Sequence, residues 1–402
     1  MIESLAAKSI SQYEALQQIL HAGFQFGGSF ALWKRPKSNE LEVVFDDSKL
    51  ARKVNISLED VPSGFIVHPF EDQADHSAFF IESKEYFKIP FAKDQSETNL
   101  PEWIQKFAEQ GDKSLQFAPD HFPKLSAQEI KKTGGDKDHF LELVRKSIEA
   151  VKMGSMEKVV PARTKTLEMT KDFDLGKSLL NLIHTYPNSF VNFFHLPDVG
   201  TWMGASPEIL IETSGDHFYT MSLAGTQVAK GENPLKSAAW TQKEIEEQAL
   251  VSRYIVDCFK KIRLREYEEH GPKTVMAGNL LHLRSDFRVN MKETNFPQLG
   301  SVMLQLLHPT SAVCGMPRKE AHEFLKANEG FDRKFFAGFI GPVNIENKTS
   351  IYVNLRTASL SQETITLYAG AGVTEDSDPD KEWEETEVKC NIIGKFIQTV
   401  NN

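Results

Sequence analysis

Short apolar runs separated by turn residues dominate the first third of the chain and predict β-strands. FALWKRPKSNELEVVF places two such runs on either side of a turn at Pro36 to Asn39, a pattern typical of a β-hairpin. GFIVHPF and SAFFIES are further strand candidates. From Ala92 to Gly135 the chain becomes polar and acidic, which predicts a surface connection with short helices and a candidate boundary between subdomains.

Helical periodicity follows this segment. Apolar residues recur on one stripe from about Asp138 to Lys152, and Gly154 is a candidate C-terminal cap. A long helix is predicted from Thr241 to about Glu268, and a shorter one from Gly300 to Leu307. The remaining strand candidates are KVVPARTKTLEM, FVNFFHL, GTWMGAS, EILIETS, HFYTMSLAGT, VMAGNLLHLRSDF, FFAGFIGPVNI, TSIYVNLRTASL and TITLYAGAG. Their hairpin-like order favours antiparallel sheets with helices packed outside, an α/β fold of the α+β type.

The last predicted helix is unusual because acidic residues crowd its start. We projected it from Asp380 at about 100° per residue, and treated TQKEIEEQALVSRYIVDCFKKI in the same way. The charged residues that fall within the apolar arcs are Glu382, Glu385 and Lys389 in the last helix, and Glu244 and Glu247 in the earlier one. Ile245 falls in the apolar arc of the earlier helix. Two helices thus each turn an i, i+3 pair of glutamates towards the interior.

Carboxylates that face an interior need protonation, an ion-pair partner or a metal, because an unpartnered buried charge loses much of its solvation energy. An all-oxygen ligand set from two helices, with no His or Cys in the pattern, favours Mg²⁺ over zinc. Acidic residues in a first helical turn also cap helices and interact with the helix dipole. The projection by itself leaves both interpretations open.

Composition narrows the class of protein. The chain has 402 residues, of which 40% are hydrophobic, enough for one large domain or two ordinary ones. Cys258, Cys314 and Cys390 are too widely spaced for a zinc motif or a secreted disulfide framework, which predicts a cytoplasmic location. Neither a signal sequence nor a membrane span is predicted. A net charge of −10 argues against nucleic acid as a partner, and an anionic ligand would need a bound cation or a few placed Arg and Lys residues.

More specific motifs run from about Lys158 to Lys395. In chain order they are SMEKVVPAR, GASPEIL, SLAGTQ, LHPTSAVCGMP, FDRKFFAGFIG, VNLRTASL and YAGAGVTEDSDPDKEWEETEVK. In their order and spacing the chain resembles the chorismate-utilising enzymes, and most closely their isochorismate synthase branch. The resemblance implies one chorismate-binding domain over 1–402, with two facing antiparallel sheets, outer helices and an active site in the central cleft. Within it, 1–130 is the less typical part and 138–400 holds the catalytic core motifs.

The same resemblance implies roles for individual residues. Lys158 in EKVVPAR matches the general base that activates water, and Glu208 in GASPEIL matches the general acid that protonates the departing hydroxyl. The positions that match the family's metal site are Glu247 and Glu385 as Mg²⁺ ligands, and Glu244 and Glu382 as the acidic neighbours that hold its waters. The positions that match substrate contacts are Gly225, His308, Ala312, Arg356, Gly370 and Lys389.

Some of these positions have a second interpretation. His308 and His282 can each be structural or can line the substrate pocket. Arg356 alternates with the apolar residues of VNLRTASL, so a surface ion pair would be its default role. Many relatives carry a histidine directly after the first metal glutamate, where this chain has Gln248, and the hydrogen bonding around the metal is therefore left open.

Three functions are consistent with the sequence. The leading hypothesis is an isochorismate synthase, a monomeric, Mg²⁺-dependent isomerase of chorismate that needs no amidotransferase subunit because water is its nucleophile. The second is a salicylate synthase, in which the same site continues to pyruvate elimination; Leu223 in SLAGT is closer to the pattern of the first. The third is a non-catalytic acidic protein whose glutamates cap helices or recruit a partner. The sequence does not distinguish menaquinone from siderophore biosynthesis as the pathway.

Overall fold

Two antiparallel β-sheets form the centre of the molecule. The structure, a computed structural model, describes residues 9–71, 76–110, 122–124, 136–170, 172–229, 233–277 and 280–397. Sheet I has eight strands in the order β10-β21-β20-β12-β11-β2-β3-β7, and sheet II has nine in the order β15-β16-β14-β13-β19-β18-β5-β6-β4. Two short ribbons pair β1 with β8 and β9 with β17.

The strands are β1 Ile10–Ser11, β2 Ser29–Lys34, β3 Glu40–Asp46, β4 Arg52–Asn55, β5 Gly64–His68, β6 Ser77–Glu82, β7 Glu85–Pro90, β8 Glu97–Thr98, β9 Lys158–Val159, β10 Ala162–Glu168, β11 Phe190–Leu196, β12 Gly200–Ser206, β13 Ile209–Ser214, β14 His217–Val228, β15 Glu268–Ala277, β16 Leu280–Asn290, β17 Gly315–Met316, β18 Phe339–Val343, β19 Lys348–Val353, β20 Thr357–Leu360 and β21 Thr364–Gly370. The helices are α1 Gln12–Phe26, α2 Glu102–Gln110, α3 Lys137–Lys152, α4 Leu175–Thr185, α5 Pro234–Ser237, α6 Gln242–Lys261, α7 Leu299–Leu307, α8 Arg318–Asn328 and α9 Pro379–Ile397. Antiparallel sheets with helices were expected from the pattern, and this is confirmed.

The two sheets face each other across an aromatic core. The ring centroids of Trp33 on β2 and Phe65 on β5 are 5.2 Å apart. Phe190 on β11 stacks on Tyr352 of β19 with centroids 4.0 Å apart. All four rings are buried, so the inward faces of sheets I and II share one apolar core.

Helices cover the outer faces of the sheets. Helix α1 begins with a capping box between Ser11 and Glu14 and ends at Gly27, whose φ of 70° suits glycine. Its apolar residues form a second core with α4, α9 and the outward side chains of sheet I, such as Phe30 and Phe45. Helix α6 packs on β14 and β16 of sheet II. None of the helices in the described ranges is long and apolar enough to cross a membrane.

The chain passes from one sheet to the other at two neighbouring places, and these two crossings together form a corner. Strand β12 leaves sheet I and β13 begins in sheet II after residues 207–208, whereas β19 leaves sheet II and β20 begins in sheet I after residues 354–356. Because β12 pairs with β20 and β13 pairs with β19, the two links lie side by side. The prediction of one strand in TSIYVNLRTASL is therefore wrong: Arg356 has a φ of 48° and separates two strands of different sheets.

One helix boundary also differs from the prediction. Helix α6 ends at Lys261, and Glu268 already begins β15. Arg263 has a left-handed φ of 58°, which ends the helix before Glu268. The predicted cap after α3 is confirmed, since Gly154 has a φ of 77° just beyond the helix.

The predicted surface connection from Ala92 to Gly135 is seen only in part. Helix α2 lies within it, while 111–121 and 125–135 lie outside the described residues. Strands from before this segment join both sheets, β2, β3 and β7 in sheet I and β4 to β6 in sheet II.

Candidate active site

A cavity opens beside the corner, between the two sheets and the first turns of α6 and α9. The predicted site residues that line it are Glu208, Gly225, Glu247, Ala312, Arg356, Gly370, Glu385 and Lys389, and His282 lines it too. These residues come from segments that are far apart in the chain. The fold therefore collects most of the predicted site in one place.

The corner holds two ionisable residues, the buried Glu208 and the partly buried Arg356, that have no side-chain partner in the described part of the chain. Neither the Glu208 carboxyl nor the Arg356 guanidinium makes a side-chain hydrogen bond or ion pair there. Burial raises the pKa of Glu208 to about 8, although Lys158 and Arg356 oppose the rise, so the group is mostly protonated at neutral pH. Burial lowers the pKa of Arg356 to about 10, which leaves it charged. The two groups offer a proton and a fixed positive charge to a ligand.

Backbone geometry holds these groups in place. The Glu208 carbonyl accepts a hydrogen bond of 3.1 Å from the N–H of Val353, and the Arg356 carbonyl accepts one of 2.9 Å from the N–H of Ala205. Arg356 keeps its left-handed backbone because these neighbouring strands fix it. The prediction that Arg356 would by default form a surface ion pair is therefore wrong, because the strand alternation on which it was based ends before this residue.

His282 presents an unpartnered nitrogen near the cavity. Its Nδ1 lies 2.7 Å from the carbonyl oxygen of Gly225, and its Nε2 has no partner among the described residues. Burial lowers the pKa of His282 to about 3, so the ring is neutral. Since a carbonyl can only accept, Nδ1 carries the proton and Nε2 is an acceptor for a hydroxyl or N–H of a ligand.

Lys158 lies behind the lining, against Glu247. Its Nζ is 2.7 Å from Oε1 of Glu247, and the lysine side chain is only 1% exposed. Burial opposes ionisation of Glu247, but the ammonium groups of Lys158, Lys389 and Lys243 together lower the pKa of the carboxyl. A Cβ on Gly372 would lie 2.8 Å from Cε of Lys158 and 2.9 Å from Oε1 of Glu247, so only glycine leaves room for this pair.

Glu385 and Lys389 form a second pair on α9. Lys389 Nζ lies 2.6 Å from Oε1 of Glu385, one helical turn away. The same ammonium donates to the carbonyl of Gly370 at 2.8 Å. The lysine thus ties the start of α9 to the end of β21.

The other two predicted glutamates, both in the described chain, do not line the cavity. Glu244 caps α6: its Oε2 accepts from the N–H of Thr241 at 2.7 Å, and Gln227 Nε2 donates to the same carboxylate. Glu382 is 3% exposed and its Oε1 lies 2.7 Å from Nζ of Lys243. Burial raises the pKa of Glu382 despite this partner.

The inward placement of Ile245 is wrong, and His308, for which a structural role and a pocket role were both open, does not line the cavity. His308 is buried outside the cavity, 5.0 Å from the rings of both His68 and Phe339, and burial lowers its pKa. It belongs to the core, because the helix before it packs against sheet II. Ile245 is 47% exposed, whereas its neighbour Glu244 faces sheet II and contacts Gln227 at the end of β14.

Comparison with known proteins agrees with this geometry. The family model described as "chorismate binding enzyme" matches residues 81–398, which is most of the chain. The chain belongs to this family. The match begins well before Lys158, where the recognisable motifs start, and the predicted family is confirmed.

Curated relatives within the family share about a quarter of their residues with the chain. Isochorismate synthase EntC of Escherichia coli (strain K12) is 28% identical over 315 residues, which cover 76% of this chain and 78% of the relative. The vibriobactin-specific isochorismate synthase of Vibrio cholerae is 26% identical and covers 68% of this chain and 70% of its own. Anthranilate synthase component 1 of Neisseria gonorrhoeae is also 26% identical, over 61% of this chain and 50% of its own.

Solved structures confirm the fold. MenF, the menaquinone-specific isochorismate synthase from Escherichia coli, superimposes with a TM-score of 0.74 at 19% identity and covers 98% of this chain and 94% of its own. The DhbC protein of Bacillus anthracis gives a TM-score of 0.71 at 21% identity, over 95% of this chain and 99% of its own. Facing sheets with a central cleft are thus shared with chorismate-utilising enzymes.

The cavity residues of this family member suit a magnesium ion that takes few ligands from the protein and most of its ligands from water and substrate oxygens. No three His, Cys, Asp or Glu side chains of the described residues converge as a complete metal site. Mg²⁺ commonly takes only one or two carboxylates and completes its shell with waters and substrate oxygens. Glu247 and Glu385 line the same cavity from two helices and fit that requirement.

Sequence reasoning missed Lys243, which joins the two acidic helix starts. A signal was available, because Lys243 and Glu247 are four residues apart and share a helix face. Gln248, whose role was open, lies away from the cavity: its amide donates to Ser222 Oγ at 2.7 Å and to Ser285 Oγ at 3.3 Å. It fastens α6 to sheet II.

Proposed function

We propose that the protein is an isochorismate synthase, which adds water to one ring carbon of chorismate while the hydroxyl on a distant ring carbon leaves. The observation that carries the proposal is one cavity lined both by Glu208, a buried carboxyl whose pKa is raised to about 8, and by Arg356, which has no side-chain partner among the described residues. An anionic substrate with a departing hydroxyl requires these two groups together. The isochorismate synthases among the relatives support the same assignment.

Arg356, Lys389 and the backbone at Gly370 hold the substrate carboxylates in this proposal. The guanidinium of Arg356 has all its donors free for a bidentate contact with a carboxylate. His282 Nε2 accepts from a substrate hydroxyl, which orients the ring over Gly225. Burial strengthens each of these contacts because little water competes for them.

Mg²⁺ held by Glu247 and Glu385 would add the positive charge that binds a substrate carboxylate and withdraws electrons from the ring. Glu244 acts as a helix cap rather than as a holder of metal waters. Glu382 acts through Lys243, as argued below.

Glu208 and Lys158 carry the two proton transfers. Glu208 gives its proton to the departing hydroxyl, which then leaves as water. Lys158 takes a proton from the attacking water and can do so only as a free amine released from its 2.7 Å contact with Glu247. The net change leaves the composition of the substrate unaltered, as an isomerase requires.

A product assay tests the proposal. Purified protein is incubated with chorismate and MgCl₂, without ammonia or an amidotransferase, and the products are separated by liquid chromatography. We expect isochorismate, no pyruvate in a lactate dehydrogenase assay, and loss of turnover with excess EDTA. Pyruvate equal to the chorismate consumed would assign a salicylate synthase, and the absence of any turnover would favour the non-catalytic acidic protein. A cytoplasmic location and a monomeric state stay predictions.

A further inference from the structure

We infer that Lys243 is a positioning residue that shares the carboxylates of the cation site and sets the balance between metal and anionic substrate. Only the part of the inference that concerns substrate binding rests on the proposed function. Lys243 lies in the first turn of α6, one residue before the helix-capping Glu244. It does not line the cavity, so it acts through its neighbours.

Three lysine–glutamate pairs lie at the cavity lining or directly behind it. The pairs are Lys158 with Glu247, Lys243 with Glu382 and Lys389 with Glu385, each with N–O distances of 2.6 to 2.7 Å. The carboxylates of two pairs line the cavity, whereas Glu382 lies behind them. Counting charges, three ammonium groups offset three carboxylates, so the array is neutral when all six groups are ionised.

Lys243 interacts with more than its direct partner. Lys243 lies one turn before Glu247 on α6, and its partner Glu382 lies one turn before Glu385 on α9, so its ammonium is close to both carboxylates that would hold a cation. Burial opposes ionisation of Lys243, but Glu382, with Glu385 and Glu247, raises its pKa. A divalent ion at Glu247 and Glu385 would in turn sense the positive charge of Lys243.

The Lys243–Glu382 pair also spans the cleft. Helix α6 packs on β14 and β16 of sheet II, and α9 packs on β21 of sheet I. The contact thus joins the helices of opposite walls, and Glu382 at 3% exposure holds one end firmly. A charge fixed in this way stays close to the metal carboxylates instead of moving into solvent.

Opposite effects on the two ligands follow from this placement. The charge of Lys243 repels Mg²⁺ and attracts a substrate dianion. Its removal should strengthen Mg²⁺ binding and weaken substrate binding. If Lys243 had a purely structural role, its replacement would distort the site and weaken the binding of both Mg²⁺ and substrate.

The test compares Lys243→Met with Lys260→Met. Lys260 lies in the last turn of the same helix, is 69% exposed and pairs with Asp257, so its replacement changes the same charge far from the cavity. Isothermal titration with Mg²⁺ alone should give a dissociation constant about tenfold lower for Lys243→Met, on the order of what one unit charge contributes in a partly solvated site. Lys260→Met should remain within about twofold of the parent protein.

A second variant guards against misfolding. Lys243→Met leaves the buried Glu382 without its ammonium partner, so the double variant Lys243→Met/Glu382→Gln removes both charges together. Its Mg²⁺ affinity should return to within about threefold of the parent value, because the net charge of the array is restored. At saturating Mg²⁺, Lys243→Met should raise KM for chorismate about fivefold, whereas Lys260→Met should not.

Unchanged or weaker Mg²⁺ binding by Lys243→Met overturns the inference, as does the absence of Mg²⁺ binding in every variant. The metal titration contains no substrate, so its result stands apart from the proposed reaction. A parent protein that binds Mg²⁺ but does not convert chorismate refutes the proposed function while the metal comparison still decides the role of Lys243.

Discussion

The starts of α6 and α9 and the corner of the sheets both contribute ionisable side chains to the cavity. Those at the helix starts have ion-pair partners, whereas those at the corner have none among the described residues. At the starts of α6 and α9, Glu247 and Glu385 are each paired with a lysine. At the corner, the buried Glu208 and the partly buried Arg356 have no side-chain partner in the described chain. A carboxylate paired with a lysine can instead pair with a bound cation, whereas an unpaired group gains a partner only when a ligand arrives. The comparison separates a region suited to metal from a region suited to substrate chemistry.

The largest expected effect lies at the corner. Glu208→Gln keeps the shape of the side chain but removes the proton donor, so kcat for chorismate should fall by about 10³-fold. The control is Glu212→Gln, four residues further on β13, whose carboxylate pairs with Lys348 at 2.9 Å outside the described site. Near-parent kcat in Glu208→Gln, measured by product chromatography, would contradict the acid assignment.

A smaller loss is expected at a helix start. Glu385→Gln removes a proposed ligand and should weaken Mg²⁺ binding at least tenfold in a titration without substrate. Its neighbour Glu384 is exposed, so Glu384→Gln tests the same chemical change on the solvent side of α9. Equal affinities of the two variants would show that position 385 is not a ligand.

The pH dependence distinguishes the corner from the helix starts. Glu208 has a pKa of about 8 in the folded protein and about 4.5 when unfolded, so its protonation supports the fold fully below about pH 4.5. This contribution is lost as pH rises towards 8, by at most about 1.4 kcal/mol per pH unit. Thermal melts should show the parent losing stability relative to Glu208→Gln between pH 5 and pH 9, and turnover should fall above about pH 8. Parallel pH profiles of the two melts would refute the raised pKa.

The smallest effect belongs to Glu244. Because its carboxylate caps α6, Glu244→Ala should cost about 0.5–1 kcal/mol of unfolding free energy in a denaturant titration. Mg²⁺ affinity should stay within about twofold of the parent, in contrast with Glu385→Gln. A tenfold loss of affinity would return Glu244 to the metal site that the sequence resemblance implied.

Local patterns predicted much of the fold. Alternating apolar runs identified the antiparallel strands, and the helical projection correctly turned Glu247 and Glu385 towards the interior. The projection could not separate them from Glu244, because a first-turn glutamate can bend back to its own helix cap. It also placed Ile245 inside, since periodicity does not reveal which residues of a helix's first turn its neighbours will cover.

The remaining features depend on contacts between distant segments. The Lys158–Glu247 pair joins residues 89 positions apart, and no local sequence pattern predicts a contact over that separation. The change of sheet at Arg356 rests on a single left-handed residue inside an apparently continuous strand. Motif resemblance supplied Lys158 and Glu208 because it carries information about distant contacts, but it also supplied His308, which the structure buries away from the cavity.

The side-by-side links at the corner limit how far the two sheets can separate at that place. Residues 207–208 and 354–356 connect the sheets covalently, and links of two or three residues stretch by only a few ångströms because each residue spans at most about 3.6 Å. A further short link, residues 83–84 between β6 and β7, also joins the two sheets, so the walls are connected at more than one place. Glu208 and Arg356 are held near each other by the corner links themselves, and the Lys243–Glu382 pair holds the starts of α6 and α9 together on the other side of the cavity.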